Sequence, residues 1–322
     1  MSVQTSNLAF FTKFIGAKGT RQRRILRDRL TMLAFVGPFL IGLLLFTYYP
    51  VIRGFYLSFF QARGTVTPTK FIGLENYQWL LSEKAFTDSL VTFVVYTLLI
   101  TPATFALTLG LAVLVNNIRF GTPFFRTVFF LPTAVSFVIG SLIWKMSLFS
   151  GLPSSFVNQV LLFLGQPPVV WVSIKGLPYY WVVLVTIRLW LMTGGYFLIL
   201  LAGLQDIPRE LYEAAYVDGA VPGWSTFRHI TLPLLSNVSI SVLLLIVINA
   251  FQAFAEFYNI LGGMGSIGLR QLVRPPLLYL YDIALGNSDY GRGSAGSFIL
   301  MCLIVAFTLV QVRLFGLGRK HN

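Results

Sequence analysis

The feature that most constrains this chain is the length of its apolar runs. Six segments, roughly Thr31–Tyr49, Leu90–Val115, Phe124–Lys145, Tyr179–Leu204, Leu232–Tyr258 and Ser297–Leu314, lie near the ~20 residues an α-helix needs to cross a bilayer. Hydrocarbon offers no partner to backbone N–H and C=O groups, so runs of this length predict helices that satisfy themselves. Charge supports the same reading. Only 11% of the residues are charged, against about 25% in soluble domains, too few to coat a water-soluble protein of this size. The first run begins only near Leu30, behind a long basic stretch, and is too long for the h-region of a cleavable signal peptide.

Orientation follows from where Lys and Arg fall. Lys13, Lys18, Arg21, Arg23, Arg24, Arg27 and Arg29 precede the first run. Arg119 and Arg126 flank the turn between the second and third, Arg209 and Arg228 lie between the fourth and fifth, and Arg313, Arg319 and Lys320 end the chain. The intervening loops are less biased, because Arg53, Arg63, Lys70 and Lys84 are diluted and offset by Glu75, Glu83 and Asp88. Both termini are therefore expected on the cytoplasmic side. The net charge of +13 is mostly topology, and no basic folded domain is left over for nucleic acid. Lys13–Arg29 either lies on anionic lipid headgroups or acts as a plain stop signal. One cysteine, Cys302, excludes a disulfide framework, and with His229 and His321 as the two histidines it makes a metal site unexpected, though carboxylates alone could provide one.

The polar segment 205–230 then becomes a cytoplasmic loop. It contains Glu213-Ala214-Ala215-Tyr216-Val217-Asp218-Gly219-Ala220 and runs into Ile230-Thr231-Leu232-Pro233. Pro208 fits the first turn of a short helix. The small Ala214 and Ala215 allow a partner surface to come close, Glu213 can pair with a basic group, and Gly219 suits a left-handed helix end. Pro222 allows a second short helix to begin. The bland alternative is a merely interfacial amphipathic loop.

The pattern E-A-A-x-x-D-G-A followed by I-x-L-P resembles the EAA loop of ABC-importer permeases. Further pieces resemble the larger permease of the maltose-type carbohydrate importers. They are Gly73-Leu74-Glu75-Asn76-Tyr77, Phe125-Arg126-Thr127 with Phe130-Leu131-Pro132, Phe254-Ala255-Glu256-Phe257-Tyr258, and Gly293-Ser294-Ala295. Each tag is weak alone, and their order along the chain makes the resemblance specific. Two departures stand out. Leu261-Gly262-Gly263-Met264-Gly265 occurs where many relatives read T-x-G-G-P, and only 146–178 joins the third and fourth runs, so no extended periplasmic domain is present there.

The resemblance implies an all-α integral membrane protein of the type I ABC-importer permease fold, with six transmembrane helices. Residues 1–29 would be a basic cytoplasmic segment and 30–322 the permease domain, with the coupling loop at about 205–230. It implies a multi-pass protein of the bacterial cytoplasmic (inner) membrane. Its partners would be a second permease subunit forming a heterodimer, two ATPase subunits that bind ATP and Mg, and a periplasmic or extracellular solute-binding protein. Glu213, Ala214, Ala215, Asp218 and Gly219 would couple to the ATPase. No G-x-x-x-x-G-K-S/T phosphate loop occurs, so this chain is expected to hold no cofactor and to be a pore subunit rather than an enzyme.

Ionisable groups inside a bilayer usually face a cavity or a partner. Arg188 is the one base clearly within a run, and Glu256 is the one acid, near the outer end of the fifth. At 1.5 Å per residue Arg188 lies roughly 13 Å deep, with Asn249 at about the same level. Asn249, Gln252, Glu256 and Asn259 follow i, i+3, i+7, i+10 spacing and predict one polar stripe. Asn249 and Gln252 could bond sugar hydroxyls, with Trp190 or Phe251 stacking on the ring. The structural alternative is interhelical glue, with Arg188 paired to a partner helix or to Glu256. Lys145 is expected to snorkel. A midplane guanidinium also suits an acidic, uronate or alginate-type oligosaccharide. A neutral malto- or other oligosaccharide and a glycerol-phosphate-like solute stand beside it. A secondary transporter would need midplane coupling carboxylates and usually an internal repeat, a channel a filter sequence, and a membrane enzyme a catalytic cluster at one depth. None of these is evident.

Overall fold

The computed structural model describes residues 27–118, 120–173, 178–221, 223–262 and 273–315. The basic segment before Arg27, Arg119, Pro222 and the residues from Gly263 to Gly265 lie outside them. In chain order the helices are α1 (Arg27–Leu57), α2 (Glu75–Ser82), α3 (Lys84–Asn116), α4 (Thr122–Ala134), α5 (Phe137–Leu148), α6 (Phe156–Phe163), α7 (Tyr180–Gln205), α8 (Arg209–Val217), α9 (Trp224–Leu234), α10 (Ser236–Phe251), α11 (Ala255–Leu261), α12 (Pro276–Gly286) and α13 (Tyr290–Phe315). Two-residue strands β1 (Phe60–Gln61) and β2 (Lys70–Phe71) pair antiparallel, with Phe60 opposite Phe71 and Gln61 opposite Lys70. The chain divides into two compact units, one ending at Leu57 and the other beginning at Ser58. No residue of the most apolar 18-residue window of α1 is buried.

Among the described residues four helices are long and apolar enough to cross a membrane: α1, α3, α7 and α13. Two bent pairs bring the number to as many as 6 if each is one span. The third and fifth apolar runs are therefore not the straight helices their length predicted. α4 meets α5 at 94° and α9 meets α10 at 73°. Pro132 opens a short 3-10 turn at the end of α4, and Ser136 then caps α5 by accepting from the Val138 N–H at 3.2 Å. At the second bend a π-turn over Phe227–Thr231, closed by the Leu232 N–H on the Phe227 carbonyl, precedes Pro233, which has no N–H to donate. α13 also begins earlier than its apolar run, because its first turns are built from small residues rather than hydrophobic ones.

Those small residues are required by close approaches. A Cβ on Gly291 would lie 2.5 Å from the Phe60 carbonyl, and one on Gly293 2.6 Å from the Ala284 Cβ. The same corner is fastened by Asn76, which is buried and donates to the carbonyls of Ser58 at 2.9 Å and Phe60 at 3.0 Å. The closest approach of a glycine to another element's backbone lies at α7. A Cβ on Gly194 would sit 2.3 Å from the Phe129 carbonyl and 2.8 Å from the Phe130 Cα, so α4 runs directly over the α7 backbone.

α7 is the axis of the second unit. Val183, Leu184, Ile187 and Leu191 belong to one apolar cluster with Tyr96, Phe251 and Phe257. Phe197, Leu200, Leu201 and Leu204 belong to another with Ala112, Leu235 and Val242. The two clusters follow consecutive halves of the same helix. Gly194 and Gly195 test this packing as a matched pair, since nothing lies within 4 Å of a Cβ on Gly195. Gly194→Ala is expected to destabilise the purified protein by about 3 kcal/mol or more through backbone overlap, and Gly195→Ala by far less. Thermal unfolding of the two variants checks the difference.

Candidate functional site

Two sites emerge from the second unit. The first is the polar segment after α7. Pro208 stands one residue before α8 as its N-cap rather than within the first turn. The end of α8 is a complete left-handed closure. Ala220 N–H donates to the Ala215 carbonyl at 2.8 Å and Gly219 N–H to the Tyr216 carbonyl at 3.2 Å, with Gly219 at φ +89°. Nothing lies within 4 Å of a Cβ on Gly219, so the demand for glycine is conformational. Glu213, Ala214 and Asp218 are exposed, Ala215 is half-buried, and Val217 is 88% exposed. On the opposite face Tyr212 shares a hydrogen bond with the Thr231 hydroxyl at 3.0 Å and packs on the second apolar cluster. Behind the helix is a cavity of about 1340 Å³ lined by Asn116, Asn117, Gln205, Arg209, Tyr212 and Trp224, among others. α8 therefore presents one face outward and is tethered by few groups on the other.

The second site is a buried polar cluster on the first half of α7. Arg188 lies eight residues into the helix, about 12 Å along it at 1.5 Å per residue. Its side chain is 7% exposed and that of Glu256 1%. One guanidinium nitrogen, Nη1, binds Glu256 Oε1. The other, Nη2, binds the Asn249 backbone carbonyl. Tyr96 on α3 donates its hydroxyl to the same Glu256 oxygen at 3.1 Å. The Phe137 ring, at the start of α5, lies 5.3 Å from the guanidinium carbon, within cation–π range. Each contact has a physical reason. A cation suits the carbonyl end of α10, and an acid suits the first turn of α11, where Glu256 stands.

Of the two pairings open to Arg188 in the sequence, the structure has the one with Glu256. The single stripe of Asn249, Gln252, Glu256 and Asn259 does not form. α10 ends at Phe251 and α11 starts at Ala255, so these residues belong to two helices. Asn249 is half-buried and donates to the Leu245 carbonyl at 2.9 Å. Gln252, in the break, is exposed. Trp190 packs on Trp144, with ring centroids 4.9 Å apart, and Phe251 on Phe93, with centroids 3.8 Å apart. Lys145 places its ammonium on the Asn259 carbonyl at 3.1 Å, near the end of α11. Sequence reasoning missed Tyr96 and Phe137. Neither stands out in an apolar run, and their partners lie far along the chain.

The sequence matches the family described as "Binding-protein-dependent transport system inner membrane component" over residues 79–316, and the chain belongs to that family. It is 32% identical over 286 residues to the arabinooligosaccharides transport system permease protein AraP of Bacillus subtilis, covering 88% of this chain and 87% of that protein. It is 32% identical over 276 residues to the trehalose/maltose transport system permease protein MalF of Thermococcus litoralis, covering 86% and 90%. The fold is that of a crystal structure of a bacterial ABC transporter involved in the import of the acidic polysaccharide alginate, with a TM-score of 0.80 at 20% identity over 93% of this chain and 100% of that one.

Two expectations follow. Gly219→Val is expected to unfasten the end of α8 at a cost of about 1–2 kcal/mol, since a β-branched residue resists the left-handed conformation. Gly219→Asn should cost less. Hydrogen exchange across 214–220 separates them. Arg188→Met leaves the Glu256 carboxylate buried without its cation and is expected to cost about 3–5 kcal/mol, whereas Arg188→Met with Glu256→Met costs less than either single change. Unfolding of the three variants measures this.

Proposed function

We propose that this chain is one of two permease subunits of an ATP-driven, binding-protein-dependent importer of oligosaccharides in a bacterial inner membrane. Six spans with both termini cytoplasmic put α8 on the cytoplasmic face, where two separate ATPase subunits would hold ATP and Mg. Closure of that dimer moves the 205–230 loops and converts an inward-open pore to an outward-open one, which receives sugar from the binding protein. In this reading Glu213, Ala214, Ala215, Asp218 and Gly219 form the docking surface. Asn249, Gln252, Glu256, Arg188 and Trp190 belong to the substrate path. The observation that carries the proposal is the exposed α8, closed at Gly219 and tethered through Tyr212, in a chain of the binding-protein-dependent family.

The substrate we favour is neutral. A free guanidinium would suit a carboxylated sugar, but Arg188 already carries Glu256 and the Asn249 carbonyl. Its charge is neutralised where it stands. The relatives named for arabinooligosaccharides and for trehalose and maltose fit a neutral sugar, and the alginate transporter supports the fold only.

ATP-dependent uptake by vesicles holding the complete complex tests both points. Neutral oligosaccharide is expected to accumulate only with ATP inside, and a uronate oligomer to accumulate at least about tenfold less, a difference of about 1.4 kcal/mol in transition-state terms. Accumulation driven by an ion gradient without ATP would defeat the importer reading. Preference for the uronate would defeat the neutral-sugar reading.

A further inference from the structure

The break between α10 and α11 has no local cause in the sequence. Neither proline nor glycine occurs between Ser236 and Leu261. The residues at the break, Ala250-Phe251-Gln252-Ala253-Phe254-Ala255-Glu256, include several good helix formers. Helices bend sharply at proline, at glycine or serine, at π-bulges, or where a side chain enters the hydrogen-bond ladder. Here a side chain enters. In a continuous α-helix the Asn249 carbonyl accepts from the Ala253 N–H. In this chain the Ala253 N–H turns to Ala250 at 3.1 Å, the Gln252 N–H reaches Asn249 at 3.1 Å, and the Arg188 guanidinium binds the Asn249 carbonyl. The Phe254 backbone lies at φ −142°, ψ −58°, outside the helical region.

The same guanidinium holds both sides of the break. Nη2 is on the last turn of α10 and Nη1 on the first turn of α11, where Tyr96 fixes the same carboxylate oxygen. Phe137 covers the guanidinium from α5. We propose that Arg188 is the positioning residue that creates the Gln252–Phe254 break, with Tyr96 setting the carboxylate it grips. The segment is then a two-state element, broken when Arg188 bridges it and helical when it does not. The break leaves Gln252 exposed, while Ala250 and Phe251 before it and Ala253 after it are buried. The consequence for transport rests on the permease reading, whereas the structural claim does not. Releasing Arg188 would rotate Gln252 and Glu256 onto one helix face and change what the pore offers a sugar.

The test uses the complete complex with Arg188→Met and Glu256→Met together, which removes both charges, and with Arg188→Lys, which keeps the ion pair but lacks the fork that spans two acceptors. Cryo-electron microscopy of the double variant is expected to show one helix through 252–254. In both variants the backbone amides of 252–255 are expected to exchange about tenfold more slowly than in the unaltered protein. A break that persists at the same residues, with unchanged exchange, overturns the proposal. Coupled uptake is expected to fall about tenfold in the double variant while ATP hydrolysis continues. If the unaltered complex carries no sugar at all, the transport reading fails, and the result on the break stands or falls by itself.

Discussion

Burying Arg188 is the commitment around which the second unit is arranged. Removing an ion from water costs several kcal/mol even after relaxation, and the cost is offset only where every donor finds an acceptor in good geometry. Glu256 and the Asn249 carbonyl accept from the two terminal nitrogens of Arg188, and the Phe137 ring lies against it from a third direction. Tyr96 then satisfies the same carboxylate oxygen from a fourth helix. The positions of α3, α5, α10 and α11 around α7 are thereby tied to one side chain. Apolar packing alone would leave more freedom, because lipid and leucine are nearly equivalent surroundings for a helix face.

Close backbone contact supplies the rest. Gly194 lets α4 cross α7, and a Cβ on Gly203 would lie 3.0 Å from the side chains of Leu235 and Val238, where α7 approaches the bend between α9 and α10. One uninterrupted helix thus carries Arg188, passes both crossings and leads directly into α8. In the proposed importer a displacement at α8 would have a stiff element to act on, since interiors packed this closely shift between discrete arrangements rather than deform smoothly.

The parts of this architecture that were legible in the sequence depend on local chemistry. Apolar length marked the membrane helices, and Gly219 marked a left-handed helix end that the structure closes with both expected hydrogen bonds. Pro132 and Pro233 lie close to the bends, but prolines are tolerated in membrane helices, so apolar length read straight through them. The illegible parts depend on partners distant in sequence. Asn76 is plain in the G-L-E-N-Y element, yet its acceptors lie 16 and 18 residues away. The Arg188–Glu256 pair was legible as one of two alternatives because both charges stand out in apolar runs, whereas Tyr96, 160 residues from Glu256, was not. The break at 252–254 had no signal at all, because its cause is a side chain from another helix. The basic segment before Arg27 lies outside the described residues.

In the proposed importer α8 connects an external ATPase to a sugar path controlled around Arg188. The measurement closest to that connection is ATP hydrolysis by the assembled complex as the binding protein is supplied empty, or loaded with a neutral oligosaccharide. Hydrolysis is expected to rise about tenfold or more with the loaded protein, and cutting the Tyr212–Thr231 link, by Tyr212→Phe, to weaken the response without abolishing basal hydrolysis. Hydrolysis that is indifferent to the loaded binding protein would contradict this reading.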